Sequence, residues 1–176
     1  MPAVRKDVEA TLVDRPDVDG ATVIDYGAPG PVLALVRPDG FCSGPELRDA
    51  CADVLEAAAS RITVVLTTEL PDLADGFPDP ESLLAESVYV YRYEPATTET
   101  EERVVALWNR ILDRNRTGVT DDFLDLGGDS VSAVRVVAEI RNEFGVDVDL
   151  MRFFNNPSVR HVAALVDAGR DRGTTG

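Results

Sequence analysis

Along this chain the spacing of apolar positions changes character near residue 95. Before it, short runs at strand spacing alternate with helical stretches; after it, the period is three to four throughout. In the first half, residues 4–12 have helical spacing and stop at turn chemistry over 14–20. Residues 21–24 and 31–36 are short β-rich runs separated by Y-G-A-P-G, which predicts a hairpin. Ser43 or Gly44 opens a helix through about residue 59, with Leu47, Cys51, Val54, Leu55 and Ala58 on one face, and residues 62–66 read as another strand. The order α-β-β-α-β predicts an α+β, two-layer domain with a helix-covered sheet. Residues 70–86, rich in Pro, Asp and Gly, read as a loop followed by a short helix, and 89–95 as an extended linker.

The second half is helical. Thr98 and Glu101 make a capping box, opening a helix whose stripe is Val104, Leu107, Trp108 and Ile111. Residues 115–120 break the period and read as loop. Asp129 is the next cap, its carboxylate placed to accept from the amides of Val131 and Ser132. The helix it opens runs over 130–144, with Ala133, Val136, Val137, Ile140 and Phe144 facing the core and Gly145 ending it. Residues 150–154 allow one short turn, and Pro157 with Ser158 starts a last helix carrying Val159, Val162, Leu165 and Val166. Four helices with a long first loop predict an all-α four-helix bundle. Trp108, Phe123, Phe153 and Phe154 belong to its core. The expected boundaries are a first domain over 1–88, a linker over 89–97, the bundle over 98–170 and a flexible tail over 171–176.

Charge narrows the classes of partner. The 176 residues carry a net charge of -15, which argues against nucleic acid and against an anionic membrane surface, since both select for clustered Lys and Arg. The acid is uneven: residues 1–95 hold 18 Asp and Glu against 7 Lys and Arg, and residues 96–176 hold 14 against 10. Such asymmetry is a solvated surface or a means of steering a basic partner. Cys42 and Cys51 lack companion spacing for a metal and read as free thiols of a cytoplasmic protein. No signal peptide, lipidation motif or membrane-length apolar run is visible. The start at Met1 is what a free-standing protein would show, although an excised piece of a larger protein would look similar.

The candidate chemistry sits in D-D-F-L-D-L-G-G-D-S, residues 121–130. With Asp129 as the cap, Ser130 falls in the first helical turn with its hydroxyl free. Gly127 and Gly128 give backbone freedom and remove bulk on the approach side. An anion attached to Ser130 would lie beside the unpaired amides of the helix start. As a catalytic nucleophile the serine would need a base within reach. The one histidine, His161, lies on the last helix among Val159, Val162 and Ala163, and the glycine context differs from the G-x-S-x-G elbow of hydrolases. Ser130 is therefore read as a substrate of another enzyme, with no catalytic residue and no metal site in this chain.

The segment resembles the peptidyl carrier domains of nonribosomal peptide synthetases. L-G-G-D-S looks like their phosphopantetheine attachment motif, and E-E-R-V-V-A-L-W-N-R-I-L, E-F-G-V-D-V-D-L and F-F-N-N-P-S-V follow the family's other landmarks in order. The resemblance covers roughly 98–166. It implies a covalent 4'-phosphopantetheine on Ser130, framed by Gly128 and Asp129, carrying an aminoacyl or peptidyl thioester. Partners implied are a phosphopantetheinyl transferase, a stand-alone adenylation enzyme, and condensation, tailoring or thioesterase enzymes. It also implies that Val131, Val134 and Arg135 dock partner enzymes; the alternative is that the apolar pair and Ala138 pad the bundle against the first loop. A polyketide-type acyl carrier, or an interaction module whose first domain recruits a partner enzyme, is the neighbouring functional reading.

The first half resembles the small C-terminal subdomain of adenylation domains. V-R-K-D-V-E-A-T-L, A-T-V-I-D-Y, V-L-A-L-V-R-P and P-E-L-R-D-A-C-A-D-V-L lie where that family has a helix, two paired strands and a second helix. The family closes with L-P-x-x-x-x-G-K, whose lysine serves the adenylation step. Here the text is L-P-D-L-A-D-G-F, so Phe77 stands at the lysine position, and the sole lysine of the chain is Lys6. An aromatic ring cannot place positive charge on a carboxylate or phosphate. The resemblance thus implies an inert remnant, not an enzyme, and a carrier loaded by enzymes acting in trans.

Overall fold

A computed structural model describes residues 2–74, 76–87 and 89–173, and the chain divides into two compact units, Met1–Arg92 and Tyr93–Gly176. The first contains α1 (Pro2–Val13), β1 (Val18–Asp25), β2 (Val32–Pro38), α2 (Gly44–Leu55), β3 (Ile62–Leu66), α3 (Pro80–Glu86) and β4 (Tyr89–Arg92). The strands form one sheet in the order β1-β2-β3-β4. β1 and β2 make the expected hairpin; its turn is closed by the Tyr26 amide on the Pro31 carbonyl (3.2 Å) and the Gly27 amide on the Asp25 carboxylate (2.9 Å). β2 and β3 are parallel, which a tight turn cannot connect, so α2 supplies the crossover. β4 then returns antiparallel to β3.

The two central strands read V-L-A-L-V and I-T-V-V-L, continuous runs that are buried almost throughout. A strand apolar on both faces needs cover on both. On one face Val8 and Leu12 of α1 and Leu47, Cys51 and Leu55 of α2 pack on Val23, Ala34, Val36 and Val64. Burying each such large aliphatic contributes about 1.5–3 kcal/mol. On the other face Ile24, Leu35 and Val65 meet Leu70, Leu73, Leu83 and Leu84. The loop after β3 and α3 therefore form a third layer, which corrects the two-layer expectation.

Three further expectations are corrected. Residues 18–20 are not turn but the start of β1, because a bulge between Val18 and Gly20 absorbs the D-G pair and lets Val18 oppose Pro38. The helix expected to reach residue 59 ends at Leu55, and Glu56–Arg61 tightens into a 3-10 turn that feeds β3. Arg61 fixes this turn by donating to the Gly30 carbonyl at 2.7 Å. Part of the expected linker is the strand β4. Tyr91 packs on the α2 side core, and the fully buried Arg48 of α2 donates to the Arg92 carbonyl at 3.2 Å and to Asp49 at 3.1 Å.

The second unit contains α4 (Glu99–Leu112), α5 (Ser130–Phe144), α6 (Leu150–Asn155) and α7 (Val159–Gly173) around one core. The capping box forms as expected: the Thr98 hydroxyl accepts from the Glu101 amide and the Glu101 carboxylate from the Thr98 amide. Of the expected stripes, Val104, Leu107, Trp108, Ala133, Val136, Ile140, Val159, Val162, Leu165 and Val166 are buried, with Ile111, Val137 and Phe154 half-buried at the margin. Trp108, Phe123 and Phe153 stack edge to face at the centre, with centroids 4.9 Å and 5.1 Å apart along that series for Trp108–Phe123 and Phe123–Phe153. The long loop between α4 and α5 is pinned: the buried Asp121 carboxylate accepts from the Gly118 amide (2.7 Å), the Phe123 amide donates to Pro157 (2.8 Å), and the Val119 carbonyl accepts from the Arg160 amide (2.9 Å). α7 continues to Gly173, so residues 171–173 are helix where a tail was expected; residues 174–176 of that expected tail lie outside the described residues.

Candidate functional site

The start of α5 is assembled from the turn residues before it. After Phe123 the chain folds back through Leu126 amide to Asp122 carbonyl (3.1 Å) and Gly128 amide to Phe123 carbonyl (2.8 Å). Gly127 has φ +87, a conformation L side chains rarely adopt, and the space beside it is open. Gly128 has the opposite role from the one its position implied. A Cβ there would overlap the Phe123 ring, so this glycine packs inward against the core and does not widen the approach to Ser130.

Asp129 is the N-cap of α5. Its carboxylate accepts from the Ser132 amide and hydroxyl, both at 2.7 Å, while the Ser132 hydroxyl accepts from the Asp129 amide at 2.8 Å. The Ser132 amide, then its hydroxyl, hold the Asp129 carboxyl below the usual carboxylate range, so it stays charged. This changes the expected electrostatics of the site. The Ser132 amide of the helix start is thus already taken by Asp129.

Ser130 occupies the first position of α5, is exposed, and has no side-chain hydrogen bond among the described residues. Among the described residues no side chain makes a hydrogen bond to its hydroxyl. His161 instead has Nε2 3.1 Å from the Arg152 carbonyl, the proton being on Nε2 in the tautomer that donates. Along the outer face of α5, Val131 is 71% exposed and Val134 55% exposed, with Arg135 and Ala138 also exposed. Arg141 and Arg110 are engaged, with Asp147 at 3.2 Å and Glu143 at 2.8 Å respectively; Arg135 has no ion pair among the described residues. Two further exposed apolar side chains of this unit, Leu124 and Met151, escaped the sequence reading. Their signal was their position off the core stripes, Leu124 between Phe123 and Asp125 and Met151 one residue into a short helix.

In the first unit, Phe77 lies on the loop before α3, 53% exposed, edge-on to Tyr26 at 6.1 Å between centroids. Lys6 is exposed on α1. Cys42 and Cys51 are both buried and unpaired. Burial, then the hydrogen bond to Asp17, pushes the Cys42 thiol up to about 12, and burial pushes Cys51 up to about 12. Among the described residues no group of His, Cys, Asp and Glu is arranged to hold a metal, and no helix is long and apolar enough to cross a membrane.

Comparison with known proteins gives the following likenesses. The family described as "Phosphopantetheine attachment site" matches residues 102–166. Tyrocidine synthase 2 of Brevibacillus parabrevis is 30% identical over 175 residues, which is 94% of this chain and 5% of that protein. The chain thus spans a small fraction of the curated relative it matches. A peptidyl carrier protein solved in complex with the phosphopantetheine transferase Sfp and coenzyme A is 28% identical, covering 43% of this chain and 99% of that one, with a TM-score of 0.43. The McyG A-PCP solved with phenylalanyl-adenylate is 16% identical over 92% of this chain and 30% of that one, with a TM-score of 0.41.

Proposed function

We propose, from the match of residues 102–166 to the family described as "Phosphopantetheine attachment site", that the protein is a peptidyl carrier modified on Ser130 and loaded by enzymes acting in trans. The observation that carries this reading is the Ser130 hydroxyl: exposed and unbonded, at the first position of a helix whose cap is built by its neighbour. The bound cofactor, 4'-phosphopantetheine, supplies a terminal thiol on which an aminoacyl or peptidyl group is held as a thioester.

The chain's own residues have three tasks. Ser130 Oγ attacks the phosphorus of coenzyme A that bears the pantetheine; the bond to the departing 3',5'-ADP breaks, and the hydroxyl proton goes to a base of the transferase. A serine with no base of its own needs that help. Asp129 and Ser132 hold the first turn of α5 rigid, so Oγ is presented in one place. Gly128 fixes the turn onto Phe123. Val131, Val134 and Arg135 then offer an apolar and cationic face to partner enzymes: the phosphopantetheinyl transferase, a stand-alone adenylation enzyme, and condensation, tailoring or thioesterase enzymes in turn.

In the first unit Phe77 leaves no cation at the position where the resemblance implies a catalytic lysine, and we assign no adenylation chemistry to it. A loading assay tests the whole reading. The protein carrying its arm, incubated with ATP, amino acids and separate adenylation enzymes, should gain one aminoacyl mass that hydroxylamine removes, while the unmodified protein gains none. Acylation of the unmodified protein, or ATP–pyrophosphate exchange by this chain alone, would contradict it.

A further inference from the structure

The loop that leads to Ser130 is held from two sides. Val119 is fully buried, so its amide and its carbonyl both need partners inside the protein. The carbonyl accepts from the Arg160 amide at the start of α7 (2.9 Å), and the amide donates to the Glu94 carbonyl (2.9 Å), ahead of α4. From Val119 onward the loop stays fixed. Asp122 bridges Ser158 in antiparallel fashion, the Phe123 amide donates to the Pro157 carbonyl at 2.8 Å, and the Phe123 carbonyl accepts from the amide of Gly128, two residues before Ser130.

Residues 94–98 thus form a strap across this loop, and Arg160 closes it with its side chain as well. Its guanidinium pairs with Glu94 at 2.9 Å and with Glu101 of α4 at 3.4 Å. The Glu101 carboxylate, 7% exposed, also accepts from the Thr97 amide (2.8 Å) and hydroxyl (2.9 Å) and from the Thr98 amide (3.2 Å). Ala96, within the strap, packs on the core of the bundle. One side chain therefore ties the strap to α4, while the amide of the same residue ties α7 to the loop. If the strap lifts, the Val119 amide is left buried without a partner, a cost that persists until the loop itself opens to water.

We propose that Arg160 is a positioning residue for the modification of Ser130, holding the strap 94–98 against Val119 so that the loop before α5 keeps one conformation. This rests on the reading of the chain as a carrier. A transferase that grips the start of α5 together with this loop meets an ordered surface while the strap is closed. When it opens, only the fraction of chains with the loop in place is competent, and the apparent affinity falls by that fraction. The chemistry at Oγ is untouched, so the effect belongs in KM and not in kcat.

The test uses the full chain as wild type, Arg160→Glu, and the double variant Arg160→Glu with Glu94→Arg. A carboxylate suits the first turn of a helix, so α7 should persist in Arg160→Glu, but the change sets a third carboxylate beside Glu94 and Glu101. The double variant puts opposite charges back across the strap. Amide exchange read by NMR should quicken at Val119 about fivefold or more in the single variant, with Val136 and Ile140 of α5 unchanged, and the double variant should recover much of that protection. With coenzyme A, magnesium and a broad-specificity phosphopantetheinyl transferase, the single variant should show a KM for the carrier raised more than about twofold at unchanged kcat, and the double variant should return toward wild type. Exchange at Val119 or a KM within about twofold of wild type would overturn the positioning role and leave the carrier reading intact, as would loss of protection at Val136 and Ile140 alongside Val119. A wild type that takes up no phosphopantetheine would sink the carrier reading, and the positioning role with it.

Discussion

At the scale of single residues, the sequence told more about Ser130 than about the glycines before it. That the hydroxyl is free followed from assigning the cap to Asp129, and the cap forms as read. The inward packing of Gly128 was not legible, because contact with Phe123 five residues back depends on how the intervening turn closes. Gly128→Ala should therefore cost about 1–3 kcal/mol by overpacking, read as a lower thermal midpoint of the second unit and slower modification. The cysteines supply a second residue-level prediction. With both thiols pushed up to about 12, neither should react with a thiol reagent at pH 8 in the folded, unmodified protein. After phosphopantetheine attachment one reactive thiol per chain should appear, counted by intact mass after alkylation.

At the scale of elements, helices with strong caps and periodic stripes were readable, and edges of the sheet were not. α4 and α5 were placed within a residue or so because Thr98, Glu101 and Asp129 mark their starts. β4 was missed because Y-V-Y-R has only four residues and no alternation of burial, and what makes it a strand is tertiary: pairing with β3 and the buried Arg48 of α2. The third layer was also hidden, although the both-sided apolar runs of β2 and β3 were its signature. Thr98→Ala should cost the second unit about 1 kcal/mol, measured by chemical denaturation. Acid should loosen both helix starts. The Thr97 amide, more than any other donor, holds the Glu101 carboxyl below its usual range, and the Ser132 amide does so for Asp129. A depressed carboxyl stabilises the fold fully above its unfolded pKa of about 4 and loses that contribution as pH falls through the lower folded value. Protection of the Thr97, Thr98 and Ser132 amides against hydrogen exchange should accordingly fall below about pH 4.

At the scale of the whole molecule, the chain is two units with separate cores, each describable without the other. A carrier unit needs nothing from the sheet unit to present Ser130, and residues 93–176 alone should accept the cofactor. Composition made the acidic bias of the first half visible; the pairing of Asp17, Asp19 and Asp25 with arginine took the fold to see. The central claim remains that Ser130 is the point of attachment, and intact mass tests it most directly. The protein and its Ser130→Ala variant are incubated with coenzyme A, magnesium and a broad-specificity phosphopantetheinyl transferase, then weighed. The wild type should gain the mass of one 4'-phosphopantetheine and the variant none; no gain in the wild type, or a gain that survives in the variant, would contradict the account.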